Sequence, residues 1–180
     1  MRIFYALPTT HYAVMQSIIG TAHVYGDNVD TDRIIPGKYT KTLDVSYLAQ
    51  HVLEDLDEGF RERVQVGDVL VAGVNFGCGS SREQAPMALQ AVGVSAVVAH
   101  SFARIFYRNA INIGLPVVEI GEHGIVAGSK VEVDLENGRV IDHAANKTYA
   151  ATQMPDVMLN ILRAGGLVDY LKEYGEYRGG

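Results

Sequence analysis

Apolar positions along the 180-residue chain follow two patterns, consecutive runs that are typical of strands and a regular spacing that is typical of helices. Short runs of consecutive apolar residues are typical of buried strands. Four such runs are predicted to be strands: 18–25, 69–76, 95–99 and 115–120. Between them, apolar residues recur every three or four positions, which predicts helices over 44–56, 82–92 and 101–111, with Asp44 and Ser101 as N-caps. The order strand, loop, helix, strand, helix, strand over residues 69–120 predicts a parallel α/β layer.

The two ends of the chain depart from this pattern. Residues 130–142 alternate apolar and polar positions around Asn137-Gly138, which predicts a β-hairpin. Residues 155–173 are predicted to be helical, with a break at Gly165-Gly166. Residues 1–16 show no clear period, so we predict an N-terminal extension there, with Met15 as a candidate native start, and a single domain over 17–180.

Composition narrows the functional classes. Apolar residues make up 48% and charged residues 20% of the chain, which is ordinary for a globular protein. The net charge of −6 argues against nucleic-acid binding, which needs a basic surface. No apolar run reaches the length of about 18 residues that a membrane-spanning helix needs. The single cysteine, Cys78, allows no intrachain disulfide and cannot by itself hold an iron–sulfur cluster, so we predict a cytoplasmic chain without a cluster.

The segment 77–83 carries the most informative chemistry. Ser80 and Glu83 match the S-x-x-E capping box, so one interpretation is that Ser80 only caps the following helix. The other is an anion site at that helix N-terminus, where Ser81 and Arg82 suit a carboxylate and Ser80 acts as a base. The two interpretations conflict, because Ser80 cannot be a fully engaged cap and a free base at once.

Other polar groups give weaker indications. Three aspartates between 27 and 32 could bind a hard cation or form a solvated turn; the spacing is not that of the calcium loop, so no metal site is predicted. Arg104 and Arg108 share one helix face, which suits solvent or a partner protein. Cys78 would need a base partner to act as a nucleophile, and no pattern supplies one.

Three segments, taken together, carry a resemblance to a known family. They are 26–37, 75–85 and 101–109, in this order. The chain resembles the small subunits of the isopropylmalate dehydratase and homoaconitase family, which are equivalent to the swivelling C-terminal domain of aconitase. The likeness covers about residues 17–172, and three ordered matches are more specific than any one of them.

The resemblance implies a fold, a partner and a set of roles. The fold is a swivelling β/β/α domain of the α/β class, which docks on a large subunit carrying a [4Fe–4S] cluster. The reaction is the dehydration and rehydration of a small hydroxy dicarboxylate. Ser80 matches the serine that takes the substrate proton, and Ser81 and Arg82 match residues that bind its carboxylate. Asp32, with Thr31, matches a supporting motif near the active site.

The substrate is less closely defined by the resemblance. In the family the loop after Pro36 helps to read the variable group of the substrate, and here it contains Thr40 and Lys41. We predict isopropylmalate, in leucine biosynthesis. The alternatives are homoaconitate, whose third carboxylate Lys41 could pair, and a methylated or dimethylated malate. A stand-alone anion-binding or scaffold module is the competing class, and a homo-oligomer of the isolated chain is also left open.

Overall fold

The computed structural model describes residues 17–175, so the extension predicted at 1–16 lies outside the described residues. Within that range one mixed sheet has seven strands, in the order β4-β3-β2-β1-β5-β6-β7. The strands are β1 (Ile18–Val24), β2 (Val69–Ala72), β3 (Ala96–Ala99), β4 (Val117–Glu119), β5 (Lys130–Asp134), β6 (Arg139–Asp142) and β7 (Lys147–Ala150).

The helices lie between these strands and after the last one. They are α1 (Thr31–Ile34), α2 (Val45–Ala49), α3 (Phe60–Arg63), α4 (Gln84–Val92), α5 (Arg104–Asn112), α6 (Asp156–Ala164) and α7 (Leu167–Tyr174). A single 3-10 turn, Gly37–Tyr39, precedes α2. No helix within residues 17–175 is long and apolar enough to cross a membrane.

One half of the sheet is parallel. Strands β2, β3 and β4 pair in parallel, as predicted, and β1 also joins this layer by pairing in parallel with β2. Every residue of β2 and β3 is buried, because helices cover such a layer on both faces. The carboxyl ends of the parallel strands therefore meet at one edge of the sheet, where the following loops gather.

The other half of the sheet is antiparallel. β1 pairs with β5 on its second side, and β5 pairs with β6 across the predicted turn, which confirms the hairpin. Val131, Val133 and Val140 are buried, whereas Lys130 and Arg139 are exposed, as the alternation requires. β7 was not predicted, and it extends the sheet by pairing with β6.

The predicted helix over 44–56 is wrong beyond its first turns. Asp44 is the N-cap as predicted, since its carboxylate accepts hydrogen bonds from the backbone amides of Ser46 and Tyr47. The helix ends at Ala49, and Leu53 has a left-handed φ of 56°. Its backbone N–H donates to the carbonyl of Ile34 at 2.8 Å, so a contact with another segment replaces the helical bond.

The other helices begin or break close to the expected places. α6 and α7 are separated at Gly165-Gly166, as predicted, and Gly165 has a φ of 91°. The prediction that Ser101 caps the next helix is wrong. α5 begins at Arg104, and the Ser101 Oγ instead accepts a hydrogen bond from the backbone N–H of Asn75 at 2.9 Å.

Candidate active site

The loops that follow β1 and β2 meet at the carboxyl edge of the parallel strands. The backbone N–H of Thr31 donates to the carbonyl of Cys78 at 2.8 Å, next to an isolated parallel bridge between Asp30 and Cys78. The N–H of Gly77 donates to the carbonyl of Val29, also at 2.8 Å. These bonds bring two of the three segments that carry the family resemblance side by side.

Two glycines let the loop after β2 come this close to its neighbours. Gly77 has a φ of 77°, and a Cβ there would stand 2.2 Å from the ring of Phe106. Gly79 has a φ of 96°, and its Cβ would stand 3.2 Å from the Oγ1 of Thr31. Both positions favour glycine for its conformation and for the space it leaves. Packing against α1 and α5 therefore shapes the loop that carries Ser80.

Ser80 is exposed and is held by a neighbour from the other loop. The Oγ1 of the buried Thr31 accepts a hydrogen bond from the Ser80 N–H at 3.1 Å and lies 3.2 Å from the Ser80 carbonyl oxygen. It also lies 3.3 Å from the Ser80 Oγ. Thr31 thus fixes the backbone of Ser80 while the serine side chain stays open to solvent.

The capping-box interpretation of this loop is wrong. α4 begins at Gln84, and its N-cap is Glu83, which lies in the right-handed helical region. Within the described residues, the Glu83 side chain makes no capping hydrogen bond. Ser80 lies outside the helix, and its hydroxyl contacts the Thr31 Oγ1, so it is not engaged as a cap.

Arg82 is held beside Ser80 by an ion pair. Its Nη1 binds the Oδ1 of Asp32, on α1, and the Arg82 side chain is 25% exposed whereas that of Asp32 is 63% exposed. The guanidinium packs over Gly37, where a Cβ would stand 3.0 Å from Nη2. Asp32 and Gly37 together orient the guanidinium, whose planar fork matches a carboxylate. Ser81, the intervening residue, is exposed.

The segment 37–42, which includes Thr40 and Lys41, borders this site. The Thr40 hydroxyl donates to the carbonyl of Gly37 at 2.9 Å, so it is engaged in the turn. The Thr40 carbonyl accepts a hydrogen bond from Nε2 of Gln84 at 3.1 Å. Lys41, the next residue, is exposed. No sequence pattern indicated a role for Gln84, although it lies within one of the three matched segments.

The acidic segment 27–32 does not form one cluster of ligands. The Oδ1 of Asp27 accepts from the N–H of Val74 at 2.9 Å, and the Oδ1 of Asp30 accepts from the N–H of Arg33 at 2.8 Å. Asp32 pairs with Arg82 instead. Across residues 17–175, no group of three or more His, Cys, Asp or Glu side chains is arranged to hold a metal ion.

Comparison with known proteins shows the family to which this fold belongs. The sequence model of the Aconitase C-terminal domain matches residues 18–123, more than half of the chain. The chain therefore belongs to the aconitase C-terminal domain family. This confirms the fold class that the three ordered segments predicted.

Individual relatives narrow the family further. The 3-isopropylmalate dehydratase small subunit of Caldicellulosiruptor bescii is 59% identical over 155 residues, which are 85% of this chain and 93% of the relative. Small subunit 1 of the enzyme from Methanopyrus kandleri is 51% identical over 164 residues, 89% of this chain and 96% of its own. The chain belongs to the 3-isopropylmalate dehydratase small subunits.

A solved structure supports the same assignment. The crystal structure of 3-isopropylmalate dehydratase (leuD) from Methanocaldococcus jannaschii superposes with a TM-score of 0.85 at 49% sequence identity. The match covers 89% of this chain and 96% of the other. The likeness therefore extends over nearly the whole described fold, beyond the loops around Ser80.

Proposed function

We propose that this chain supplies one half of the active site of a hydro-lyase that interconverts 2-isopropylmalate and 3-isopropylmalate by removing and re-adding water. The observation that carries the proposal is the exposed Ser80, held by Thr31 next to the oriented guanidinium of Arg82. The names of the relatives favour isopropylmalate, in leucine biosynthesis, over homoaconitate or a methylated malate. They also favour an enzyme subunit over a stand-alone binding module.

Each of the site residues has a role in this proposal. Ser80 is the base that takes the proton from the carbon next to a substrate carboxylate. That step builds negative charge on the carboxylate, and Arg82 with the Ser81 hydroxyl stabilises the charge as it forms. Asp32 orients Arg82, Thr31 holds Ser80, and Thr40 and Lys41 border the group that distinguishes the substrates.

A partner subunit completes the proposed site. Ser80 and Ser81 are exposed, so this chain alone surrounds only part of a substrate. The residues of this chain do not fit an iron–sulfur cluster, because it has one cysteine and a cluster takes several thiolates. We therefore assign the [4Fe–4S] cluster to a large subunit, and we place the assembled enzyme in the cytoplasm.

Reconstitution with a cluster-loaded large subunit under anaerobic conditions tests the proposal. We expect no turnover by either subunit alone and dehydration of isopropylmalate by the mixture. The variant Ser80→Ala should lower kcat by about 10³-fold, in the range that removal of a catalytic base produces, without loss of assembly. Ser95→Ala is the matched control, because Ser95 precedes β3 at the opposite edge of the sheet and should leave kcat unchanged. Near-normal turnover in Ser80→Ala would reject Ser80 as the base.

A further inference from the structure

We propose that His51 and Gln84 are positioning residues that determine substrate specificity, because they hold the segment 37–42 in place beside Arg82. The inference rests on the proposed function, since it concerns the group that the substrate carries next to its bound carboxylate. His51 and Gln84 lie outside the segment and contact it through their side chains.

The segment contacts Arg82 directly and also contacts Gln84, two residues further along the chain. Gly37 lies against the guanidinium of Arg82 so closely that a Cβ would stand 3.0 Å from Nη2. Thr40 is bound through its carbonyl to the side chain of Gln84. A substrate whose carboxylate binds Arg82 therefore places its neighbouring group against this segment.

The first anchor of the segment is Gln84. It is the first residue of α4, and it follows Arg82 by two positions. Its Nε2 donates to the Thr40 carbonyl at 3.1 Å, and this contact is partly buried. Because Arg82 lies just before the helix that Gln84 begins, this hydrogen bond links the position of the segment to that of Arg82.

The second anchor is an aromatic cluster of Tyr39, Tyr47 and His51. The Tyr39 ring stacks on the His51 ring, with centroids 3.7 Å apart and planes at 11°. Tyr47 meets both rings edge-on, with centroid distances of 5.8 Å to Tyr39 and 4.8 Å to His51. Stacked and edge-on arrangements of this kind are the favoured geometries of ring pairs. Tyr39 therefore packs the segment against α2, through Tyr47, and against His51 just after it.

Glu54 fixes His51 in turn. Its Oε2 lies 2.9 Å from the Nδ1 of His51, and its Oε1 lies 3.2 Å from the Nζ of Lys38. Burial raises the pKa of the Glu54 carboxyl, but hydrogen bonds from His51, Tyr39 and Lys38 outweigh it and hold the pKa below its usual value. The carboxylate therefore stays charged at neutral pH, and it orients His51 beneath the Tyr39 ring.

Fixing the segment at Tyr39 and at Thr40 should help the enzyme to discriminate between substrates that differ in the size of one group. Lys41 directly follows the held residues Tyr39 and Thr40, and Leu43 lies two positions further on; both are exposed, so their placement depends on how Tyr39 and Thr40 are held. An enzyme separates substrates that differ by one or two methyl groups only if the surrounding wall does not move to fit either one. Loosening either anchor should therefore reduce discrimination more than it reduces turnover.

The test compares two substrates in the enzyme reconstituted with its large subunit. The quantity measured is the ratio of kcat/KM for 2-isopropylmalate to kcat/KM for malate carrying a methyl group in place of the isopropyl group. This ratio does not depend on how much of the protein is folded or assembled. We expect His51→Ala and Gln84→Leu each to lower the ratio about tenfold, the effect of a small change in an apolar pocket. The loss should appear mainly in KM for isopropylmalate.

Two further variants show whether the loss of the ring stacked on Tyr39 causes the fall in the ratio. His51→Phe keeps a ring for Tyr39 to stack on and should restore most of the ratio. His143→Ala removes another histidine bound to a glutamate, Glu132 on β5, and should leave the ratio unchanged. An unchanged ratio in both His51→Ala and Gln84→Leu would overturn the inference, and so would an equal fall in His51→Phe and His51→Ala. A wild-type enzyme that dehydrates neither compound would overturn the proposed function, and this inference with it.

Discussion

A single buried hydroxyl, that of Thr31, holds the proposed base. Its Oγ1 lies within 3.3 Å of the Ser80 N–H nitrogen, carbonyl oxygen and Oγ, and only 1% of Thr31 is exposed. The Thr31 hydroxyl has one proton, which it can donate to the Ser80 carbonyl or to the Ser80 Oγ. Donated to the Oγ, it stabilises the negative charge that develops there when the serine is deprotonated. We therefore propose Thr31 as a positioning residue for the reaction; its hydroxyl oxygen also accepts the hydrogen bond of the Ser80 N–H.

Replacement of Thr31 tests this role. Valine has nearly the same shape but lacks the hydroxyl, so Thr31→Val should lower kcat of the reconstituted enzyme by about 10- to 100-fold, the equivalent of one lost hydrogen bond to a charged group. KM should change little, because Arg82 is untouched. Thr31→Ser keeps the hydroxyl and is expected to recover most of kcat. Equal rates for the serine and valine variants would contradict the role, and a shift of the pH profile to higher pH in valine would support it.

The same residues show what the sequence could predict at this scale. The segment around Ser80 and its matching partner segments predicted the family, because their order and identity are specific. The capping box, one of the two interpretations that the local pattern allowed, does not form; a local pattern cannot include Thr31, which is 49 positions away in the chain. The Arg82–Asp32 pair, 50 positions apart, was not predicted as a contact for the same reason.

The loop after β2 shows how an element is fixed by its neighbours. Gly77→Ala should lower the free energy of unfolding by about 3 kcal/mol, because it combines a left-handed backbone with a Cβ that would overlap the ring of Phe106. The measurement is denaturant unfolding of the isolated chain. Gly26→Ala is the control, since a Cβ there meets nothing within 4 Å and the φ is not left-handed. Equal stability of the two variants would show that the loop does not depend on this close packing.

Elements were predicted well where the local pattern and the tertiary contacts agree. The β5–β6 hairpin has both an Asn-Gly turn and alternating residues, and its register follows the alternation. The sequence of β7 has no clear strand pattern, since only Tyr149 among its residues is buried. Its strand conformation is stabilised by pairing with β6. The helix predicted over 44–56 ended early because the buried Leu53 binds the Ile34 carbonyl, a contact that periodicity does not report.

At the scale of the whole molecule, β1 joins the two halves of the sheet. It pairs in parallel with β2 and in antiparallel with β5. Asp68, just before β2, links to it through side-chain contacts as well. Its Oδ2 lies 2.8 Å from the Nε2 of His23, and its Oδ1 accepts from the Thr21 N–H at 3.1 Å. The buried carboxylate thus braces the strand on which both halves depend.

Because the Asp68 carboxyl ionises, the stability that its contacts contribute depends on pH. Burial raises the pKa of the Asp68 carboxyl, but hydrogen bonds from His23 and from the backbone amides of Gln65 and Thr21 outweigh burial and hold the pKa below its usual value. A group with a lowered folded-state pKa contributes stability above its unfolded value and loses it as pH falls through the folded one. The fold should therefore lose stability as pH falls below about 4, where the unfolded carboxyl takes up a proton first.

Asp68→Asn tests whether this carboxylate sets the acid response of the whole fold. An amide cannot accept from all three donors, so we expect a loss of about 2–3 kcal/mol in the free energy of unfolding at pH 7, the cost of unpaired buried groups. Below pH ~4 the gap to the wild-type protein should narrow, because the wild-type carboxyl is then being protonated. Asp169→Asn, at an exposed pair with Lys172, should match the wild-type protein at every pH. A constant gap across the acid range would show that the contacts of Asp68 do not depend on its charge.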